Sequence, residues 1–179
     1  MTAATLERRA FAEVRASGRR LEGYAATFGS EARIGSIVET IAPGAFARAI
    51  AGDVLALMDH DPARVLGRTR SGTLRLSEDS KGLGFSLDLP DTQAGRDVLE
   101  LAQRQDLGGM SFGFVVPAGG DRWQGERRTL VNLDLREISV VSAHPAYPDT
   151  SLALRSRPYP SGSDARRRRL IIAELAAWA

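Results

Sequence analysis

The chain has 179 residues and a formal net charge of only +2, which leaves room for one domain of ordinary size and a short tail, not two catalytic domains. It contains no cysteine, which removes disulfides, thiolate metal sites and thiol catalysis and suits a reducing cytoplasm. No apolar run approaches the roughly 20 residues that span a bilayer, and the first nine residues carry charge where a secretory leader needs an apolar stretch.

In chain order, residues 10–15 alternate apolar with polar or small side chains, Ser17-Gly18 turns the chain, and residues 21–28 resume, which predicts a β-hairpin. Residues 34–41, with β-branched Ile37, Val38 and Thr40, read as one further strand. Pro43 suits the first turn of a short helix over 44–50, which Gly52 stops. Residues 54–58 form a short apolar strand that leaves His60 just beyond its end. Residues 73–76 and 83–89 alternate cleanly on either side of a polar turn and read as a second hairpin.

One helix follows: Asp91 or Thr92 can cap it, Val98, Leu101 and Ala102 form its buried stripe, and Gly108 ends it. Residues 111–116 are then a strand, Arg122-Trp123 and residues 128–131 suggest hairpin arms, and residues 133–142 form a long strand broken by His144-Pro145. The composition shifts to Pro, Ser, Gly and Arg over residues 155–163, as in a linker. Behind it, Arg166-Arg167-Arg168-Arg169 precedes a terminal helix over 164–179 carrying Leu170, Ile171, Leu175 and Trp178. That basic block is compact and lacks interleaved aromatics, so it argues against a nucleic-acid surface and fits a docking tail better. Many strands with few helices give an α+β domain with a mostly antiparallel, β-barrel-like core over residues 1–154.

The chemistry centres on His60, one of two histidines, and Ser111. A histidine between two aspartates, as in Asp59-His60-Asp61, is a solvated loop residue, a metal ligand or a general base. The metal reading needs further imidazoles or carboxylates, and His144 is the only other imidazole. A neutral imidazole near its working pKa can instead take the proton of a hydroxyl. In Gly108-Gly109-Met110-Ser111-Phe112-Gly113-Phe114, the two phenylalanines share one face of the strand, and Ser111 shares the other with side-chain-free Gly113. Gly108 and Gly109 offer backbone N–H groups in conformations suited to an oxyanion site. Gly109-Met110-Ser111-Phe112-Gly113 has the Gly-x-Ser-x-Gly spacing, but it leads from a helix into a strand where the nucleophile elbow of α/β-hydrolases turns from a strand into a helix, which disfavours a serine esterase.

A serine–histidine pair works best with a third group that orients the imidazole. Counting by twos from Leu133 and Leu135 puts Glu137 on their apolar face, where a carboxylate wants a partner, whereas a one-residue bulge would turn it outward as a surface charge. His144 is the alternative third member, in the loop that leaves the strand.

Several motifs recur in order: Leu21-Glu22-Gly23-Tyr24-Ala25, Ile41-Ala42-Pro43-Gly44-Ala45-Phe46, His60-Asp61 with Leu66-Gly67, and Gly82-Leu83. After these come Gly109-Met110-Ser111-Phe112-Gly113-Phe114, then Glu137-Ile138-Ser139-Val140-Val141 and Pro145-Ala146. Over residues 21–154 the chain therefore resembles the HK97-type prohead (capsid maturation) serine proteases of tailed bacteriophages and gene transfer agents, distantly similar to herpesvirus assemblin.

The resemblance implies a serine endopeptidase with His60 as base and Ser111 as nucleophile. It places Glu137 at about the interval where assemblins carry their third residue, with His144 a turn further on. It also implies the substrates: the N-terminal scaffolding segment of the major capsid protein, and the protease itself, cut inside an immature capsid in the host cytoplasm. No cofactor, no metal, no specific nucleic acid and no membrane is expected, and a homo-oligomer is compatible with it. A catalytically inactive protease fold kept as a capsid scaffold or assembly chaperone is the alternative.

Overall fold

The computed structural model describes residues 6–11 and 14–142. Within them lie thirteen strands and one α-helix. His144, the expected linker and the expected terminal helix lie outside the described residues. No helix among the described residues is long and apolar enough to cross a membrane.

Three hydrogen-bonded sheets make the fold. The first has five strands in the order β1 (Glu7–Phe11), β10 (Gly109–Val115), β13 (Asp134–Val141), β6 (Leu55–Met58) and β7 (Asp61–Arg68). The second runs β2 (Val14–Ser17), β3 (Arg20–Thr27), β9 (Gly82–Asp88), β8 (Leu74–Glu78). The third runs β11 (Asp121–Gln124), β12 (Arg127–Leu130), β5 (Ile37–Ile41), β4 (Ala32–Ile34). Pairing is antiparallel except for β13 with β6 and β12 with β5. The α+β class stands, but the sheets do not close into one barrel.

The core packs between the sheets. Met110, Phe112 and Phe114 of β10, Ile138 and Val140 of β13, and Leu21, Leu83 and Leu87 of the second sheet all belong to it. Phe28, Phe46, Phe112 and Phe114 form an aromatic chain with centroids 6.3, 5.7 and 5.2 Å apart. Burying each such ring contributes about 1.5–3 kcal/mol.

The helix α1 (Gln93–Gln103) starts where expected: the side chain of Thr92 accepts from Gly95 N–H at 3.3 Å. It stops earlier than Gly108. Gln105 takes a left-handed φ of 62°, and the N–H groups of Asp106 and Gln105 donate back to Leu101 and Ala102 at 2.8 and 3.2 Å. This is the Schellman arrangement with glutamine in glycine's usual place.

Four other expectations need correction. The strand foreseen at residues 10–15 is two: β1 joins the first sheet beside β10, and only β2 pairs with β3. Residues 34–41 are not one strand, because Gly35 at φ 62° reverses the chain between β4 and β5. Residues 44–50 form turns leading into a 3-10 turn (Ala49–Ala51) rather than a helix. Gly44 takes a left-handed φ of 87°, which a helix cannot include, and the carboxylate of Glu78 accepts from Gly44 N–H at 2.5 Å and Phe46 N–H at 3.0 Å, holding the turns in place. Strand β7 was not foreseen, since Asp61-Pro62-Ala63-Arg64 shows no alternation and its pairing with β6 is interrupted twice.

Candidate active site

The site lies on the face of the first sheet opposite the aromatic core. Ser111 stands directly across from Ser139, and Gly113 from Glu137. Antiparallel partners point the same way, so Ser111, Gly113, Ser139 and Glu137 share this face. Phe112 and Phe114 occupy the other face, stacked in the core. Ser111 and Ser139 are buried, at 3% and 0% exposure.

Glu137 reaches this face through a bulge. Gly113 pairs with Glu137 but Phe114 pairs with Leu135, leaving Arg136 as the extra residue. Leu135 and Ile138 therefore both point into the core, and Glu137 points away from it. The expected apolar face shared with Leu133 and Leu135 is thus corrected. The bulge does not make Glu137 a surface charge either, for the face it turns toward is enclosed and Glu137 is only 4% exposed.

Three donors hold its carboxylate. His60 Nδ1 lies 2.7 Å from Oε1, Arg8 Nε donates to the same oxygen at 3.0 Å, and Ser139 Oγ donates to Oε2 at 3.0 Å. Burial works to raise the Glu137 pKa, yet the hydrogen bond and charge of His60, with the bonds from Arg8 and Ser139, outweigh it and hold the carboxyl below its usual value. Gly113 supplies the space: a Cβ there would sit 2.6 Å from Oε1 and 2.8 Å from Cγ of Glu137.

His60 comes from a two-residue hairpin. Met58 of β6 pairs with Asp61 of β7, and Asp59 and His60 between them adopt left-handed φ angles of 54° and 61°. Such a turn matches the twist of the flanking strands, but asparagine and glycine fill it more readily. Its conformation returns the imidazole along β13 toward Glu137, 77 residues away in sequence. Among the described residues no hydrogen bond joins Ser111 to His60.

Arg8 was missed by sequence reasoning, which drew its family resemblance from residues 21–154 and named no site residue before His60. Strand β1 alternates, so Arg8 faces Glu137 while Arg9 faces the opposite way into an ionic network. Arg9 donates to Glu39 at 2.5 and 2.8 Å and to Glu7 at 2.8 Å, and Arg128 of β12 donates to Glu7, Glu39 and Asp121. With Arg9 8% and Glu39 2% exposed, the network ties β1 to the third sheet and so fixes Arg8. The available signal was the Glu-Arg-Arg alternation itself.

Of the two glycines expected to offer backbone donors, Gly108 directs its N–H to the carbonyl of Val141 at 2.8 Å. Gly109 adopts a φ of 131°, a conformation open to glycine alone.

No curated protein and no solved structure matches the chain. A family model does: the one described as caudovirus prohead serine protease aligns with residues 5–163, so the match extends beyond 21–154 at both ends and includes Arg8. A buried serine on a strand flanked by glycines, on the same sheet face as the Glu137 that holds His60, lies inside that match, and the chain belongs to the caudovirus prohead serine protease family.

Proposed function

We propose that this protein is a serine endopeptidase that removes the N-terminal scaffolding segment of the major capsid protein, and cleaves itself, within the immature capsid. Ser111 is the nucleophile, His60 the general base and Glu137 the residue that orients His60. The observation that carries the assignment is the 2.7 Å contact between His60 Nδ1 and a buried, ionised Glu137 on the face of Ser111.

A carboxylate on Nδ1 selects the tautomer that leaves Nε2 free to accept a proton. As Ser111 Oγ attacks the scissile carbonyl carbon, its proton passes to Nε2, and Glu137 stabilises the imidazolium that forms. The oxyanion is received by backbone N–H donors beside the nucleophile. Gly109 is kept for this role and Gly108 is not, because its N–H is already bonded to Val141. Nε2 then protonates the leaving amine, and water regenerates the serine by the same steps in reverse. The third role goes to Glu137 rather than His144 because Glu137 is already hydrogen-bonded to the base.

The test is co-expression with the major capsid protein of the same source, wild type against Ser111→Ala, with intact-mass analysis of both chains. Wild type is expected to yield a shortened capsid chain and Ser111→Ala a full-length one. Processing by folded Ser111→Ala overturns the serine mechanism. No processing by either leaves the inactive scaffold as the better reading.

A further inference from the structure

The hairpin that presents His60 is held from outside the proposed triad. Asp59, in the same left-handed turn, takes two hydrogen bonds from one residue at the end of β13: Ser142 N–H donates to Oδ1 at 2.8 Å and Ser142 Oγ to Oδ2 at 2.7 Å. Its own N–H donates to the carbonyl of Val140 at 2.9 Å, and Arg64 of β7 donates to Oδ2 at 3.3 Å. The tip of the β6–β7 hairpin is thereby riveted to β13, the strand that carries Glu137.

We propose that Asp59 is a positioning residue, whose carboxylate locks the left-handed turn against Ser142 so that the His60 imidazole is returned over β13 onto Glu137. The proposal rests on His60 acting as the base. Geometry makes the lock necessary. Beside the parallel pairs Val140–Met58 and Glu137–Leu55, His60 lies beyond the last pair, and its ring must lean back along β13 to meet Glu137. Two consecutive non-glycine residues at positive φ persist only where their surroundings over-determine them. The four hydrogen bonds on Asp59 do so, whereas His60 contributes only its bond to Glu137. A merely stabilising contact would need no such alignment with the catalytic strand.

The test compares Asp59→Gly, Asp59→Asn and Ser142→Ala with wild type in the full-length chain. Glycine favours the left-handed turn but loses the carboxylate, so it separates the anchor from the turn's own conformational preference. Asparagine tolerates the turn and keeps an acceptor for Ser142 N–H. Peptide hydrolysis is expected to fall about 10- to 100-fold in kcat for Asp59→Gly with KM held within about twofold, and to stay within about threefold of wild type for Asp59→Asn. Ser142→Ala lowers kcat in the same direction and adds little to Asp59→Gly. Nitrogen-15 imidazole spectra, with the His60 signal identified by its loss in His60→Gln, report positioning without turnover. The hydrogen-bonded Nδ1 proton of wild type should broaden or shift upfield in Asp59→Gly and be restored in Asp59→Asn.

A folded Asp59→Gly variant with wild-type kcat and an unchanged His60 spectrum overturns the proposal. If wild type itself cuts no peptide or capsid chain, the protease reading fails, and the spectra alone decide whether Asp59 positions His60.

Discussion

Replacing Gly113 by alanine tests the site with a single methyl group. The new Cβ would stand 2.6 Å from Glu137 Oε1, where ordinary contact begins at 3.4 Å, so the carboxylate must retreat by 3.4 − 2.6, about 0.8 Å. Glu137 cannot swing away freely, because His60, Arg8 and Ser139 all hold it. A retreat of that size stretches the 2.7 Å His60 contact to as much as about 3.5 Å, the limit of useful hydrogen-bond length. Losing one hydrogen bond to a charged group is worth about 1.5–3 kcal/mol, or about a 10- to 100-fold drop in kcat. Overpacking adds about 1–3 kcal/mol of destabilisation. Both effects are read from peptide hydrolysis at saturating substrate and from denaturant unfolding. Removing the obstructed carboxylate as well, in Gly113→Ala with Glu137→Ala, should recover stability without recovering turnover, and should be no slower than Glu137→Ala alone. A folded Gly113→Ala enzyme with wild-type kcat would refute the idea that Glu137 orients His60 through this contact.

If Ser111 and His60 act as one unit, alanine at either abolishes nearly all cleavage and the double variant is little worse than the singles, as single-turnover peptide kinetics would show. Arg8→Gln leaves Glu137 with two donors. Since Arg8 is 30% exposed, the loss is about 1 kcal/mol, seen as roughly a fivefold fall in kcat with KM unchanged. Because folding holds the Glu137 carboxyl below its usual value, its stabilisation is complete above the unfolded-state pKa and is lost as pH falls through the folded-state value. Unfolding free energy should therefore drop as pH falls through and below the ordinary carboxylate range, and Glu137→Gln should flatten that slope, as denaturant titrations at stepped pH would show.

Much of this site could be read from residue types and period-two alternation. Ser111 and Gly113 opposite Phe112 and Phe114, and His60 past a strand end, follow directly from which residues are apolar. Glu137 was legible as a residue but not as a direction, because a bulge at Arg136 is written in the pairing of two strands and not in either strand alone. Arg8 escaped notice because β1 is anchored by charge rather than by apolar residues: Glu7, Arg9, Glu39 and Arg128 satisfy one another only once three distant segments meet. The turns over residues 44–50 depended on Glu78, more than thirty positions away from Gly44. Local pattern is informative where a strand's own faces decide the outcome, and silent where a remote side chain does.

The parallel pairing of β13 with β6 also sets an order of events during synthesis. The proposed nucleophile and base, at residues 111 and 60, are both made before the strand that joins them, and Arg8 waits for a partner 129 residues downstream. Contacts between such distant segments form late, after the entropy of closing long loops has been overcome. A chain still emerging from the ribosome, or one stalled before residue 137, thus carries the proposed serine and histidine without the carboxylate that couples them. For a protease whose proposed substrates include its own chain, this topology withholds cutting power until nearly all of the domain has been translated and folded.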